Sequence, residues 1–155
     1  MARRGDEFGF HISSLEVDWP RIRARKDAIV SSIVASYERA LQKNPRITLF
    51  RGSAHFRSQR LLAVNGQEIE AEKVIIATGV VPVVPDIPGL AEAGFETNET
   101  VMDMERLPRS MVVIGGGPEG MEFSQVFHRF GVKMTVLQRR DRILPREDEE
   151  ISREL

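Results

Sequence analysis

The chain has 155 residues, 41% of them hydrophobic and 29% charged, with 22 Lys and Arg against 23 Asp and Glu. These values suit a soluble globular protein of about one domain, and a net charge of -1 argues against a nucleic-acid footprint. No cysteine is available for a disulfide or a thiolate site, and the apolar runs are strand-sized, too short for a membrane span or secretory signal. His11, His55 and His128 are scattered without metal-ligand spacing, so they read as surface or packing residues and no metal site is expected. The default compartment on this reading is the cytoplasm.

Residues 1–17 are polar and irregular. Asp18-Trp19-Pro20 then reads as a helix start, with Asp18 as the cap and Pro20 in the first turn. Ile22, Ile29, Ile33, Tyr37 and Leu41 follow near one face, and Asn44-Pro45 ends the helix. Its other face carries Arg21, Arg23, Arg25, Lys26, Glu38 and Arg39, a solvated basic run. From Arg46 the pattern changes to short strands at 47–50, 54–56, 60–64 and 68–71. Asn65-Gly66 is a strong two-residue hairpin signal between the last two. Residues 73–77 read as a buried, parallel-type strand ending in Thr78-Gly79. Pro82, Pro85 and Pro88 make the next stretch an extended connector. Residues 97–107 suggest a short helix started by Asn98 or Thr100. The final stretch is a loop through Pro145 and an acidic helix start at residues 147–150.

The most informative segment lies between the connector and that loop. Val112-Val113-Ile114 runs straight into Gly115-Gly116-Gly117-Pro118-Glu119-Gly120, a Gly-x-Gly-x-x-Gly turn. A helix follows with Phe123, Val126, Phe127 and Phe130 on one face, and Gly131 stands where a left-handed cap would end it. A second strand covers residues 133–138. Strand, glycine turn, helix and strand form the unit whose helix N-terminus binds a dinucleotide pyrophosphate. Gly115 permits the turn, Gly117 admits the phosphate, and Gly120 brings helix and strand together. A Gly-rich surface turn is the bland alternative.

Cofactor choice depends on the end of the second strand. An acidic residue there would bond the ribose 2′-hydroxyl of NAD. Gln138-Arg139-Arg140 instead removes the repulsion of a 2′-phosphate and offers guanidinium donors, which favours NADP. Alternatively, both arginines are solvated and Gln138 bonds the NAD ribose through its amide.

Three signals occur in order: a strand ending Ile75-Ile76-Ala77-Thr78-Gly79, a crossing with Ile87-Pro88-Gly89, and the glycine turn followed by Glu122. With Asp141-Arg142-Ile143-Leu144-Pro145 and the acidic residues after it, this order resembles the pyridine-nucleotide–disulfide oxidoreductases. That family includes dihydrolipoamide dehydrogenase, glutathione reductase and mercuric reductase. The resemblance implies an α/β fold made of parts of two Rossmann-like dinucleotide-binding domains. A three-layer, mostly parallel sheet with a small antiparallel β-meander is expected. Residues 1–85 would be the C-terminal part of an FAD-binding domain, and 86–155 the N-terminal part of an NAD(P)-binding domain. Family members carry a flavin glycine turn and a cysteine pair upstream, and a dimerisation domain with a catalytic histidine and glutamate downstream. The chain would then be the middle of an enzyme, inactive alone, whose full-length parent is a homodimer.

By the same resemblance, Gly115, Gly116, Gly117, Pro118 and Gly120 match the nicotinamide-nucleotide turn. Glu119 departs from the aromatic or aliphatic residue that some members carry beside that pocket. Glu122 matches a glutamate near the flavin, although an acid favoured by the helix dipole explains it equally well. Gly52-Ser53-Ala54 resembles the segment that meets the flavin adenine, and Ala77-Thr78-Gly79 the segment that packs on that nucleotide. The expected function is hydride transfer between NAD(P)H and FAD and on to a disulfide or other acceptor. A transhydrogenase-like flavoprotein and a non-catalytic nucleotide-binding module are the alternatives. A flavoprotein monooxygenase fits the 141–151 segment less well.

Overall fold

Asp18 caps the first helix through its side chain, whose Oδ1 accepts the Arg21 N–H at 3.0 Å. Pro20 sits in the first turn, where a backbone donor would have no intrahelical acceptor. The helix, α1, spans Trp19–Lys43, and Asn44-Pro45 follows its end as expected. The computed structural model of the chain describes residue 4, residues 7–9, residue 11 and residues 13–155. The chain divides into two compact units, Arg25–Asp86 and Met1–Ala24 with Ile87–Leu155.

In the Arg25–Asp86 unit, three short strands form an antiparallel meander: β1 (Ala54–Phe56), β2 (Leu61–Val64) and β3 (Gln67–Glu70). The β2–β3 register pairs Val64 with Gln67, leaving Asn65-Gly66 as a two-residue loop. Both loop residues have left-handed backbone, with φ of 51° and 83°. That is the combination a right-twisted hairpin requires, and Asn and Gly tolerate it best. Asn65 also anchors the turn, its Nδ2 donating to the Arg51 carbonyl at 2.7 Å. Asn65→Ala should therefore loosen the hairpin by about 1–2 kcal/mol, the cost of a left-handed non-glycine residue. Faster hydrogen exchange of the β2 and β3 amides would report it.

Two expected strands in this unit do not form. Residues 47–50 and 73–77 hold no regular secondary structure, and neither enters a ladder. Among the described residues, no backbone hydrogen bond involves residues 72–86. Ile75 and Ile76 are 90% and 71% exposed, not buried. Apolar, β-branched sequence supplies strand propensity, but a strand exists only when a neighbour completes its ladder. The apolar face expected on α1 is also open, with Ile29, Ile33 and Tyr37 exposed.

The other unit is built around a parallel pair. β4 (Ser110–Ile114) and β5 (Lys133–Leu137) pair from Ser110↔Lys133 to Ile114↔Leu137. The crossover is α3 (Pro118–Arg129), as the spacing of its phenylalanines required. Gly131, at φ 96°, ends that helix. Its N–H donates to His128 O at 2.9 Å, and the Val132 N–H donates to Phe127 O at 3.0 Å. This is the Schellman pattern, completed by the burial of both Phe127 and Val132. The core joins those two residues to Trp19 and Val101, with the Trp19 ring 5.8 Å from both Phe127 and Phe130. Trp19 Nε1 donates to Met104 O at 2.8 Å, so its one polar group is satisfied.

Three small elements complete this unit. Gly89 and Gly94, both left-handed, bracket the one-turn helix α2 (Leu90–Ala93), which is too short to show a period in sequence. The helix expected within 97–107 is a single 3₁₀ turn, Val101–Asp103, started by Thr100. α4 (Glu149–Glu154) begins after Asp148 with two glutamates in its first turn. The protein is thus mixed α/β, with a two-stranded parallel sheet and a three-stranded antiparallel one. The expected mostly parallel sheet is not formed: residues 73–77, read as a parallel-type strand, stay unpaired.

Candidate functional site

The glycine turn follows β4 without a break. Gly115 stands at φ 115°, and its N–H reaches Leu137 O at 2.8 Å, extending the contact between strands. Gly117 is the N-cap of α3, with an extended backbone and no side-chain cap, and Pro118 occupies the first helical position. The first intrahelical bond runs from Met121 N to Gly117 O at 3.0 Å. The N–H groups of Gly117, Glu119 and Gly120 consequently have no intrahelical acceptor, and they point where the helix dipole is positive.

Each glycine of the turn meets a different constraint. A Cβ on Gly120 would lie 2.3 Å from Gly115 O and 3.2 Å from Val113 Cγ1, so this residue lets helix and strand touch. A Cβ on Gly116 would lie 3.1 Å from Ile143 Cγ2, under the loop that follows β5. Around Gly117 nothing lies within 4 Å of that position. An approaching ligand would meet bare backbone there. Glu119, whose charge was unexplained by its sequence context, accepts a hydrogen bond from Asn98 Nδ2 at 3.0 Å.

Beside the turn lies an open groove of about 480 Å³. Gly115, Gly116, Gly117, Pro118, Gln138 and Arg139 all line it, as the sequence had grouped them. Gly120 stands behind it as packing. Arg140, Leu144, Pro145, Arg146 and Glu147 close the far side. Three arginines and one glutamate are therefore among the residues lining the groove. Glu122 does not line this groove. It borders a second one, of about 360 Å³, with Met121, Gln125, Leu144 and Ile151 among its walls.

Arg146 has no sequence signal for this site, and Glu147 reads in sequence only as part of an acidic helix start. They sit nine and ten positions beyond the end of β5, and only the folding back of the intervening loop brings them to the turn. Leu144 makes that fold possible. It is buried, its N–H donates to Gly116 O at 2.7 Å, and its φ is +46°. Left-handed backbone at a leucine costs about 1–2 kcal/mol, so the surrounding contacts must hold it.

The two segments expected to meet a flavin, Gly52-Ser53-Ala54 and Ala77-Thr78-Gly79, belong to the Arg25–Asp86 unit. Ser53 precedes β1, and Ala54 opens it, paired with Val64. Ala77, Thr78 and Gly79 are exposed and outside any regular element, with Gly79 at φ 75°. Among the described residues, no hydrogen bond joins the 52–54 and 77–79 segments. The described residues also hold no cluster of His, Cys, Asp and Glu suited to a metal ion, and no helix long and apolar enough to cross a membrane.

A parallel β–α–β unit, with a glycine turn at the strand end and an uncapped helix start, defines the class: a mixed α/β protein organised around that crossover. The chain belongs to the pyridine nucleotide-disulphide oxidoreductase family, whose model matches residues 4–155. It is 35% identical over 154 residues to a dihydrolipoyl dehydrogenase of Acholeplasma laidlawii, covering 96% of this chain and 46% of that protein. A mercuric reductase of Lysinibacillus sphaericus is 35% identical over 144 residues, with 93% of this chain and 26% of that protein covered. Among solved structures, the HOCl-induced flavoprotein disulfide reductase RclA from Escherichia coli, as its Cu(II) complex, aligns with a TM-score of 0.79 at 34% identity. That alignment covers 89% of this chain and 32% of the RclA chain. The chain thus spans less than half the length of these relatives.

Proposed function

We propose that this chain is part of an FAD-dependent oxidoreductase that passes hydride between NAD(P)H and FAD and on to a disulfide or other acceptor. Family membership supports the reaction class. The observation that carries the site is the uncapped start of α3 at Gly117, open on its ligand side and flanked by an arginine-lined groove. These residues fit a nicotinamide dinucleotide. The N–H groups of Gly117, Glu119 and Gly120 would hold the pyrophosphate, with Gly115 and Gly116 shaping the turn and Pro118 fixing the backbone of the first helical position. The bound dinucleotide supplies the hydride chemistry, while the protein sets orientation.

Arg139 and Arg140 would take the 2′-phosphate of NADP, since no acidic residue ends β5 to repel it. On the flavin side, Ser53, Ala54, Ala77, Thr78 and Gly79 offer small residues and backbone to FAD, and Glu122 would face the flavin. In domain terms, residues 1–85 belong to a Rossmann-like FAD-binding domain and 86–155 to a similar NAD(P)-binding domain. The whole protein is read as a cytoplasmic homodimer. These assignments rest on the family resemblance and on the residue chemistry.

Fluorescence titration of the purified chain with NADPH and with NADH tests the nucleotide site. Replacing both Arg139 and Arg140 with alanine should weaken NADPH about tenfold, or about 1.4 kcal/mol, and change NADH less than about twofold. Equal losses for both nucleotides would remove the 2′-phosphate assignment. Absence of any binding by the unaltered chain would remove the site.

A further inference from the structure

We infer that Gln138 is a positioning residue, whose carboxamide fastens the 141–147 loop across the glycine turn and so sets the arginines at the groove. It does not read the ligand itself. This rests on the dinucleotide reading above and deepens it. The carboxamide is almost fully engaged by the protein. Its Oε1 accepts the Gly116 N–H at 3.4 Å and the Arg139 N–H at 3.1 Å, and its Nε2 donates to Arg142 O at 3.1 Å. A carboxamide offers two lone pairs and two N–H groups, so three of its four positions are used.

The loop is held at three successive residues. Arg142 O is bonded to Gln138, Ile143 O accepts from Ser152 Oγ at 2.6 Å, and the Leu144 N–H is bonded to Gly116 O. The Ile143 side chain rests on Gly116, where no Cβ would fit without a shift. Pro145, Arg146 and Glu147 follow directly, at the groove wall. One side chain therefore touches the turn at Gly116, the first arginine at Arg139 and the loop that delivers Arg146. A glutamate at this position could accept from Gly116 and Arg139 but, when ionised, could not donate to Arg142 O. The need for both a donor and an acceptor explains an amide here.

Two variants test the assignment on the full chain. Gln138→Met keeps the volume and removes all three hydrogen bonds. Ser152→Ala releases the loop from its α4 end without touching the turn. In each, the Leu144 amide should exchange at least about tenfold faster in the free protein. NADPH affinity should fall about tenfold and NADH affinity less than about threefold, because the arginines lose their placement. Adding Arg146→Ala to Gln138→Met should then cost less than about twofold, whereas alone it weakens NADPH several-fold. Unchanged Leu144 exchange, or fully additive losses, would overturn the proposal. A general loosening of the fold would lower both affinities alike and also overturns it. If the unaltered chain binds neither nucleotide, the dinucleotide reading fails, and the exchange measurement still decides whether Gln138 holds the loop.

Discussion

Gly120→Ala is expected to lower stability by about 3 kcal/mol and to abolish dinucleotide binding, the upper part of the usual range for overpacking. The obstacle is not a side chain that can swing aside. The added Cβ would lie 2.3 Å from the carbonyl oxygen of Gly115, in the backbone of the turn, with Val113 Cγ1 3.2 Å away on β4. Non-bonded carbons settle at roughly 3.5–4.0 Å, so α3 must retreat from the strand by roughly 1 Å. That movement opens the packing of α3 on β4 and β5 and displaces the N–H groups at the start of the helix. Gly117→Ala is the informative contrast. Its backbone, at φ -78° and ψ 177°, suits any residue, and its side-chain position has no neighbour within 4 Å. The methyl group should leave urea denaturation almost unchanged while obstructing the ligand's approach. If Gly117→Ala binds NADPH normally, the turn is a packing device and the site lies elsewhere.

The two glycines also show what the sequence could and could not convey. Gly120 and Gly131 were legible because their roles are local: a helix meeting the strand just before it, and a helix stopping. The Asn65-Gly66 hairpin was legible for the same reason, since two residues fix its backbone. The apolar spacing of Phe123, Phe127 and Phe130 gave the buried face of α3. What the sequence did not convey is non-local. Residues 73–77 have the composition of a buried strand, but pairing depends on a neighbour that composition does not supply. Gln138 stands at the strand end, where the sequence points to a cofactor-binding residue. Its hydrogen bonds to Gly116 and Arg142 depend on a loop that returns to the turn. Arg146 reaches the groove by that same return, which rests on a left-handed Leu144. No sequence rule favours a leucine there.

The largest loss should come from Phe127→Ala, at about 3–5 kcal/mol, as for other fully buried phenylalanines. Phe127 has 0% exposure, and its ring lies 5.8 Å from Trp19 and 6.4 Å from both Phe123 and Phe130. The buried residues of this core cluster, among the described residues, are Trp19, Val101, Phe127 and Val132. A cavity at its centre therefore has few neighbours able to close it. Small domains hold about 5–15 kcal/mol in total, so the variant should be largely unfolded near its melting range and marginal at 25 °C. The effect extends to the glycine turn, because Phe127 holds the face of the same helix whose first residues form the candidate site. Trp19→Phe separates burial from hydrogen bonding: the aromatic contact survives, but Met104 O loses its donor. That change should cost about 1–2 kcal/mol and leave nucleotide affinity within about twofold. Urea denaturation of the two variants should rank them in that order. Equal losses would mean that the Trp19 indole bond, not the packing around Phe127, secures this core.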